Sequence, residues 1–191
     1  MRTFIVIFLL LILNSCDKKQ LDYGHYLSWY ESGDNPLKKM QVMGDIEFGC
    51  TLLTPDYFRA RDMASGETNE VKDQDSSEYF KMDIRIKDHS VEPLHFKVSS
   101  EQESFERLNY FVSSIKDDVN LVVGLDTFSC LLHHYERVYH AGNAIRLLFV
   151  FDHLKEKGNR KIVLDDKVFG SGKILFNFSE TDINSIPILK D

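Results

Sequence analysis

The sequence predicts an α+β domain built mainly on antiparallel sheet with one well-defined helix packed on it. An all-β sandwich with short helical inserts is the alternative arrangement. Three observations carry the prediction. Polar and apolar residues alternate in several separate stretches, the two-residue period of half-buried strands. Residues 101–115 instead place their apolar residues at helical spacing behind an N-capping signal. The chain of 191 residues also holds 14 Phe and 8 Tyr against 4 Pro, a supply suited to a packed sheet interior. With 43% hydrophobic and 28% charged residues it has the composition of a globular chain, not a disordered one.

The first fifteen residues are an address rather than fold. Met1-Arg2 supplies a positive start, and Phe4 to Leu13 is an unbroken run of ten apolar residues. A membrane-spanning helix needs roughly 20 such residues, so this run fits a signal peptide instead. Leu13-Asn14-Ser15-Cys16 then resembles the lipobox of bacterial lipoproteins: an aliphatic residue, a tolerant position, a small residue and the cysteine. The resemblance implies lipidation of the Cys16 thiol, cleavage before it, and acylation of the new amine, as by palmitate. Two or more chains hold a protein stably on a bilayer. The organisation expected is a signal peptide at 1–15, a lipidated tether at 16–22 and a single globular domain at 23–191. The expected place is the bacterial cell envelope, anchored to the outer membrane before the inner, facing periplasm or cell surface. Asp17 and its charged neighbours resemble inner-membrane retention in some bacteria and surface export in others, which leaves the leaflet open.

Tyr23, Tyr26, Trp29 and Tyr30 share one face of a helix over 23–31, and Ser32 to Pro36 breaks it. Residues 40–52 alternate, with Met40, Val42, Ile46, Phe48, Cys50 and Leu52 on one side. A hairpin about Gly44-Asp45 keeps those faces consistent only if its loop is odd and pairs Val42 with Phe48. Thr54-Pro55 starts a short helix running through about Met63. Residues 65–78 are polar and acidic and read as a loop. Phe80, Met82, Ile84 and Ile86 alternate with charged residues, and Leu94, Phe96 and Val98 suggest the return strand of a hairpin. Ser100 and Glu103 form a capping box, and Phe105, Leu108, Phe111, Val112 and Ile115 make the helix's apolar face. Strands follow at 120–123, 126–135 and 143–151, the last one central. Ile162–Leu164 and Lys173–Phe178 complete the sheet, with Ile174, Phe176 and Phe178 inward. A short helical turn closes the chain after Asp182.

Chemistry is harder to find. The net charge of −7 becomes about −8 without Arg2 (−7 − 1), which argues against nucleic-acid binding. Cys50 and Cys130 both fall on inward strand faces in an oxidising compartment. A disulfide between them would close 80 residues (130 − 50), worth about 4.5 kcal/mol in the chain-entropy account, provided their Cα atoms come within about 7 Å. Separate buried thiols are the alternative. Ser129 with His133, and Cys130 with His134, lie about 13 Å apart along a strand and cannot act as nucleophile and base. His133 and His134 point to opposite faces, so only His134 and His140, flanking a turn, could share an ion. Gly170-Ser171-Gly172-Lys173 lacks phosphate-loop spacing and reads as a hairpin turn. No cofactor motif and no catalytic residue emerges. The stripe Tyr23, Tyr26, Trp29 and Tyr30 either contacts a protein or glycan partner or seals the core near the tether.

The domain resembles uncharacterised bacterial envelope lipoproteins in Trp29-Tyr30-Glu31, Lys39 to Phe48, Pro55-Asp56-Tyr57 and Ile174–Phe178, and that family brings no activity with it. The reading is a membrane-anchored, non-enzymatic accessory, binding or scaffold domain. An envelope hydrolase gathering Asp126, His134, Glu136 and His140 is one alternative. An inhibitor or immunity-type lipoprotein using the acidic loop at 66–78 is another.

Overall fold

The computed structural model describes residues 18–66, 77–136, 143–152 and 158–190. Residues 1–17, with Cys16 and the leader, lie outside them, as do most of the acidic loop and His140. The elements in order are β1 (Gln20–Leu21), α1 (Tyr23–Glu31), β2 (Lys38–Met43), β3 (Ile46–Leu53), α2 (Pro55–Ser65), β4 (Glu78–Ile86), α3 (Glu101–Asn109), β5 (Val119–Val123) and β6 (Asp126–Ser129). They continue with β7 (Leu132–Glu136), β8 (Ala144–Phe151), β9 (Arg160–Asp166), β10 (Gly172–Phe178), α4 (Glu180–Asn184) and β11 (Ile188–Leu189).

Two antiparallel sheets carry the domain, one in the order β2-β3-β4-β8-β7 and one in the order β10-β9-β5-β6. β1 and β11 form a small parallel pair. The α+β class therefore holds, and the meeting of two sheets follows the sandwich alternative. Strand parity places the core between them. Phe80, Met82, Ile84 and Ile86 of β4 and Ile145, Leu147, Phe149 and Phe151 of β8 are buried, as are Ile174, Phe176 and Phe178 of β10. The Phe80 ring meets Phe151 at 5.7 Å and, across the sandwich, Phe178 at 5.5 Å. At one end Arg160 of β9 holds Glu78 of β4 through Nε (2.9 and 3.0 Å) and Nη2 (2.8 Å), an ion pair that ties sheet to sheet. At the other, the β9–β10 loop is drawn in as Asp166 accepts the N–H groups of Val168, Phe169 and Ser171. Phe169 then reaches Phe48 and Phe111.

Four local expectations are corrected. The β2–β3 hairpin has a two-residue turn, pairing Val42 with Glu47 and Met43 with Ile46. Gly44 takes φ 61° at the first turn position, where a tight hairpin favours glycine, and turn geometry overrides uniform faces. Met40 and Val42 are consequently 47% and 46% exposed on the outer face. Residues 94–98 are no strand, because β4 is already paired on both sides, by β3 and β8. Pro93–His95 makes a 3-10 turn instead, and Arg107 donates to the Phe96 carbonyl at 2.6 Å. The expected strand at 126–135 is two: β6 belongs to the four-stranded sheet and β7 to the five-stranded one, with the crossing at Cys130-Leu131. The helix from Glu101 ends at Asn109 and continues as a wide turn over Tyr110–Ser114 and a tight one over Ile115–Asp118. Its buried row is Ser104, Phe111 and Ile115, while Phe105 and Val112 stand 56% and 47% exposed. Ser104 turns inward because its hydroxyl donates to the Leu94 carbonyl at 3.2 Å.

Candidate functional site

The outer face of the five-stranded sheet is laid out by register alone. Side chains directly opposite one another in a sheet share a face, about 4.8 Å apart from strand to strand. One row reads Lys38, Thr51, Lys81, Leu148 and His134. The next reads Met40, Gly49, Asp83, Arg146 and Glu136, and the third Val42, Glu47, Arg85 and Ala144. The two N-terminal helices border this face. Thr54 caps α2 by accepting from the Tyr57 N–H, with Pro55 at the first helical position. Its hydroxyl also meets the Tyr26 and Tyr30 hydroxyls, at 2.9 and 3.1 Å, which locks α1 to α2. Phe58 of α2 lies edge-on to Tyr79 of β4 at 4.9 Å.

Between helices and sheet runs a groove of about 340 Å³ lined by Tyr30, Glu31, Lys38, Thr51, Leu53, Tyr57, Lys81, Asp83, Arg85 and Arg146. Asp83 accepts from Arg146 Nε at 2.8 Å, and Glu136 lies 3.9 Å from the same nitrogen. Burial pulls the Arg146 guanidinium toward neutrality, but the Asp83 hydrogen bond and charge outweigh it and its pKa is raised. Among the described residues, no carboxylate comes within ion-pairing distance of Lys38, Lys81 or Arg85. Burial lowers the Lys81 pKa, with Asp83 and Glu136 acting against that and Arg146 and Lys38 reinforcing it. Burial likewise raises the Tyr57 phenol.

The structure separates most of the residues singled out in the sequence. Tyr26 and Tyr30 are buried and hydrogen-bonded to Thr54, so they seal the helix pair rather than present a contact surface. Trp29 is half-buried against Tyr30, and Tyr23 is 48% exposed. Of the two arrangements open to Cys50 and Cys130, the structure has the separate buried thiols and no bridge. Two strands, β4 and β8, lie between the strand of Cys50 and the edge where Cys130 sits, roughly 14 Å at the usual strand spacing. Cys130 Sγ instead donates to the Leu132 carbonyl at 3.1 Å. His134 and Glu136 share the outer face of β7, whereas Asp126 belongs to the other sheet. His133 turns inward, its Nε2 3.1 Å from the Phe111 carbonyl. Among the described residues no group of three His, Cys, Asp or Glu converges to hold a metal ion.

One constellation was not foreseen. His95 Nδ1 lies 3.0 Å from Ser104 Oγ, and His95 Nε2 lies 3.6 Å from a Glu92 carboxylate oxygen. It has the residue types of a hydrolytic triad but not the proton arrangement. Ser104 spends its hydroxyl proton on the Leu94 carbonyl, so the imidazole must donate to it rather than accept from it. The trio secures the turn at residues 93–95 against α3.

No family model matches this chain, and no curated protein does. Among solved structures it is similar to a protein of unknown function from Burkholderia pseudomallei, with 12% identity and a TM-score of 0.41 over 87% of this chain and 93% of that one. It is also similar to a DUF4426 family protein from Pseudomonas aeruginosa, with 12% identity and a TM-score of 0.36 over 75% and 92%. A third is described as a "putative lipoprotein" from Staphylococcus aureus, with 13% identity and a TM-score of 0.29 over 75% and 94%. Likenesses this slight carry no ligand and no activity to the present chain.

The groove itself left a partial trace in the sequence. Lys81, Asp83 and Arg85 are the polar half of a clean alternation, which marks them as one face. Nothing local announces that Lys38, Thr51 and Arg146 join them, because that depends on the pairing of four strands.

Proposed function

We propose that this chain is a lipid-anchored protein of the bacterial cell envelope whose domain holds a ligand in the outer-face groove without transforming it, in an accessory, binding or scaffold role. The leader ending in Leu13-Asn14-Ser15-Cys16 supports the anchor. Among the described residues, which exclude the leader, no helix is long and apolar enough to cross a membrane; the attachment proposed, lipid on Cys16, rests on the leader sequence. The observation that carries the binding role is the arrangement of acids in the groove. Asp83 is engaged by Arg146 and Glu31 stands at the exposed end of α1, so the groove offers cations that hold and no carboxylate poised to move a proton. Of the set expected of a hydrolase, Asp126 is in one sheet and His134 and Glu136 are in the other, while His140 lies outside the described residues.

The test has two arms. Mass spectrometry of the mature protein is expected to find Cys16 N-terminal and diacylglycerol-modified, and Cys16→Ala to move the protein from the membrane to the soluble fraction. A bare Cys16 in a protein that still sediments with membranes overturns the anchor. Backbone NMR during a screen of envelope solutes is expected to shift resonances of β3, β4 and the start of β2 together. Turnover of any bound solute overturns the binding-only role.

A further inference from the structure

Resting on that reading of the groove, we infer that its ligand is anionic, with a carboxylate or phosphate group seated over the row Lys38–Thr51–Lys81. The first reason is charge. The chain carries a net −7, yet the groove lining gathers Lys38, Lys81, Arg85 and Arg146 against Glu31 and Asp83, an excess of +2 (4 − 2). A half-enclosed concavity with a net positive lining on a net negative body focuses field toward anions.

The second reason is the state of those cations. Lys81 is half-buried in the sheet, next in the row to Thr51 and one row from Arg146. Withdrawing an ammonium from water is unfavourable unless an opposite charge replaces the lost solvation. The nearest acid on its strand, Asp83, is already hydrogen-bonded to Arg146. The lowered Lys81 pKa is the same fact seen from the proton's side. An anion entering the groove would supply the missing partner.

The third reason is placement. Lys38, Thr51 and Lys81 stand on three adjacent strands in one cross-strand row, so two ammonium groups flank a hydroxyl that can donate between them. Half-buried Tyr57, held edge to face at 4.9 Å by the buried Tyr30 ring behind it, forms the wall beyond, which suits the ring or carbon skeleton of a small acidic molecule. Carboxylate and phosphate present the same acceptor chemistry to this row, so the experiment has to tell acidic sugars from phosphate.

The mature full-length protein in non-ionic detergent is titrated with sodium glucuronate, inorganic phosphate and neutral glucose at fixed ionic strength. Binding is followed by NMR shifts of residues 38, 51 and 81 and by calorimetry. Glucuronate or phosphate is expected to bind, glucose at least tenfold more weakly. Lys81→Met and Lys38→Met are each expected to weaken the anion at least tenfold. Lys81→Arg is expected to keep it, as is Lys173→Met on the exposed end of β10. Whichever anion binds more tightly identifies the source. Glucose binding as well as glucuronate, or an anion indifferent to Lys81→Met, overturns the anionic ligand and leaves the groove a binding site. Silence from all three probes at residues 38, 51 and 81 removes the groove from both proposals.

Discussion

On the inner face of the five-stranded sheet stand Phe48, Phe80, Met82, Ile84, Leu147 and Phe149, all but sealed from water. One residue along on the same strands, facing the other way, stand Thr51, Lys81, Asp83, Arg85 and Arg146. Backbone, pairing and strand length are shared, so the difference lies in what each face needs from its side chains. The inner face needs volume and shape, since a packed core loses contacts with every methylene removed. The outer face needs charge and order, since Arg146 with Asp83 and Glu136, and the cations that among the described residues have no carboxylate partner, must keep their rows. Substitutions inside should therefore move stability, and substitutions outside should move binding.

Phe80→Ala should show the largest effect. Its ring touches both sheets, and its loss should cost about 3–5 kcal/mol in denaturant unfolding. A loss under about 1 kcal/mol would mean that the sheets do not depend on that contact. Glu78→Gln should come next. It replaces the carboxylate that Arg160, only 10% exposed, grips through Nε and Nη2, and the loss of those charge-assisted hydrogen bonds should cost about 2 kcal/mol by the same measurement. Lys81→Met should divide the two faces most sharply, because it should leave stability at or above the parent's. The folded-state pKa of Lys81 lies below the ordinary lysine value of 10.5 because of burial. Its unfavourable contribution is thus complete below that folded value and is relieved as pH rises toward 10.5, where the unfolded chain holds more protons. Unfolding curves from neutral to alkaline pH should show this rise in the parent and lose it in Lys81→Met. Phe105→Ser should be the smallest change, within about 0.5 kcal/mol, because the ring is 56% exposed. A larger cost would put the inward face of α3 where the apolar spacing had placed it.

Those predictions also show where reading the sequence succeeds and where it stops. The parity of β4 and β10 was legible because each has one wet face and one dry face, and alternation is the direct record of that. The caps at Thr54 and Ser100 were legible because they are local chemistry; Ser100 accepts from the Glu103 N–H, while Glu103 reaches back one residue further than expected, to the Ser99 N–H. The change of sheet at Cys130-Leu131 left no mark, since both halves alternate and nothing in a period of two says which partner a strand will find. The groove was hidden for a related reason. An odd hairpin loop would have set Lys39 opposite Thr51. The two-residue turn at Gly44-Asp45 sets Lys38 there and sends Lys39 to Asp182 at 2.9 Å instead. One local turn therefore decides which lysine faces the groove, and uniform faces were the wrong guide to its length.

The small β1–β11 pair has a mechanical consequence. The Ile188 N–H donates to the Lys19 carbonyl at 3.0 Å and the Lys190 N–H to the Leu21 carbonyl at 2.8 Å, so the leading segment is stitched down from residue 19 onward. If Cys16 is lipidated as proposed, the slack between bilayer and fold would be three or four residues, about 14 Å at full stretch. The domain then rides on a short leash, with little room to swivel. Two hydrogen bonds would then set its height, and lengthening that leash, rather than altering any side chain, would be the way to carry the fold farther from the lipid headgroups.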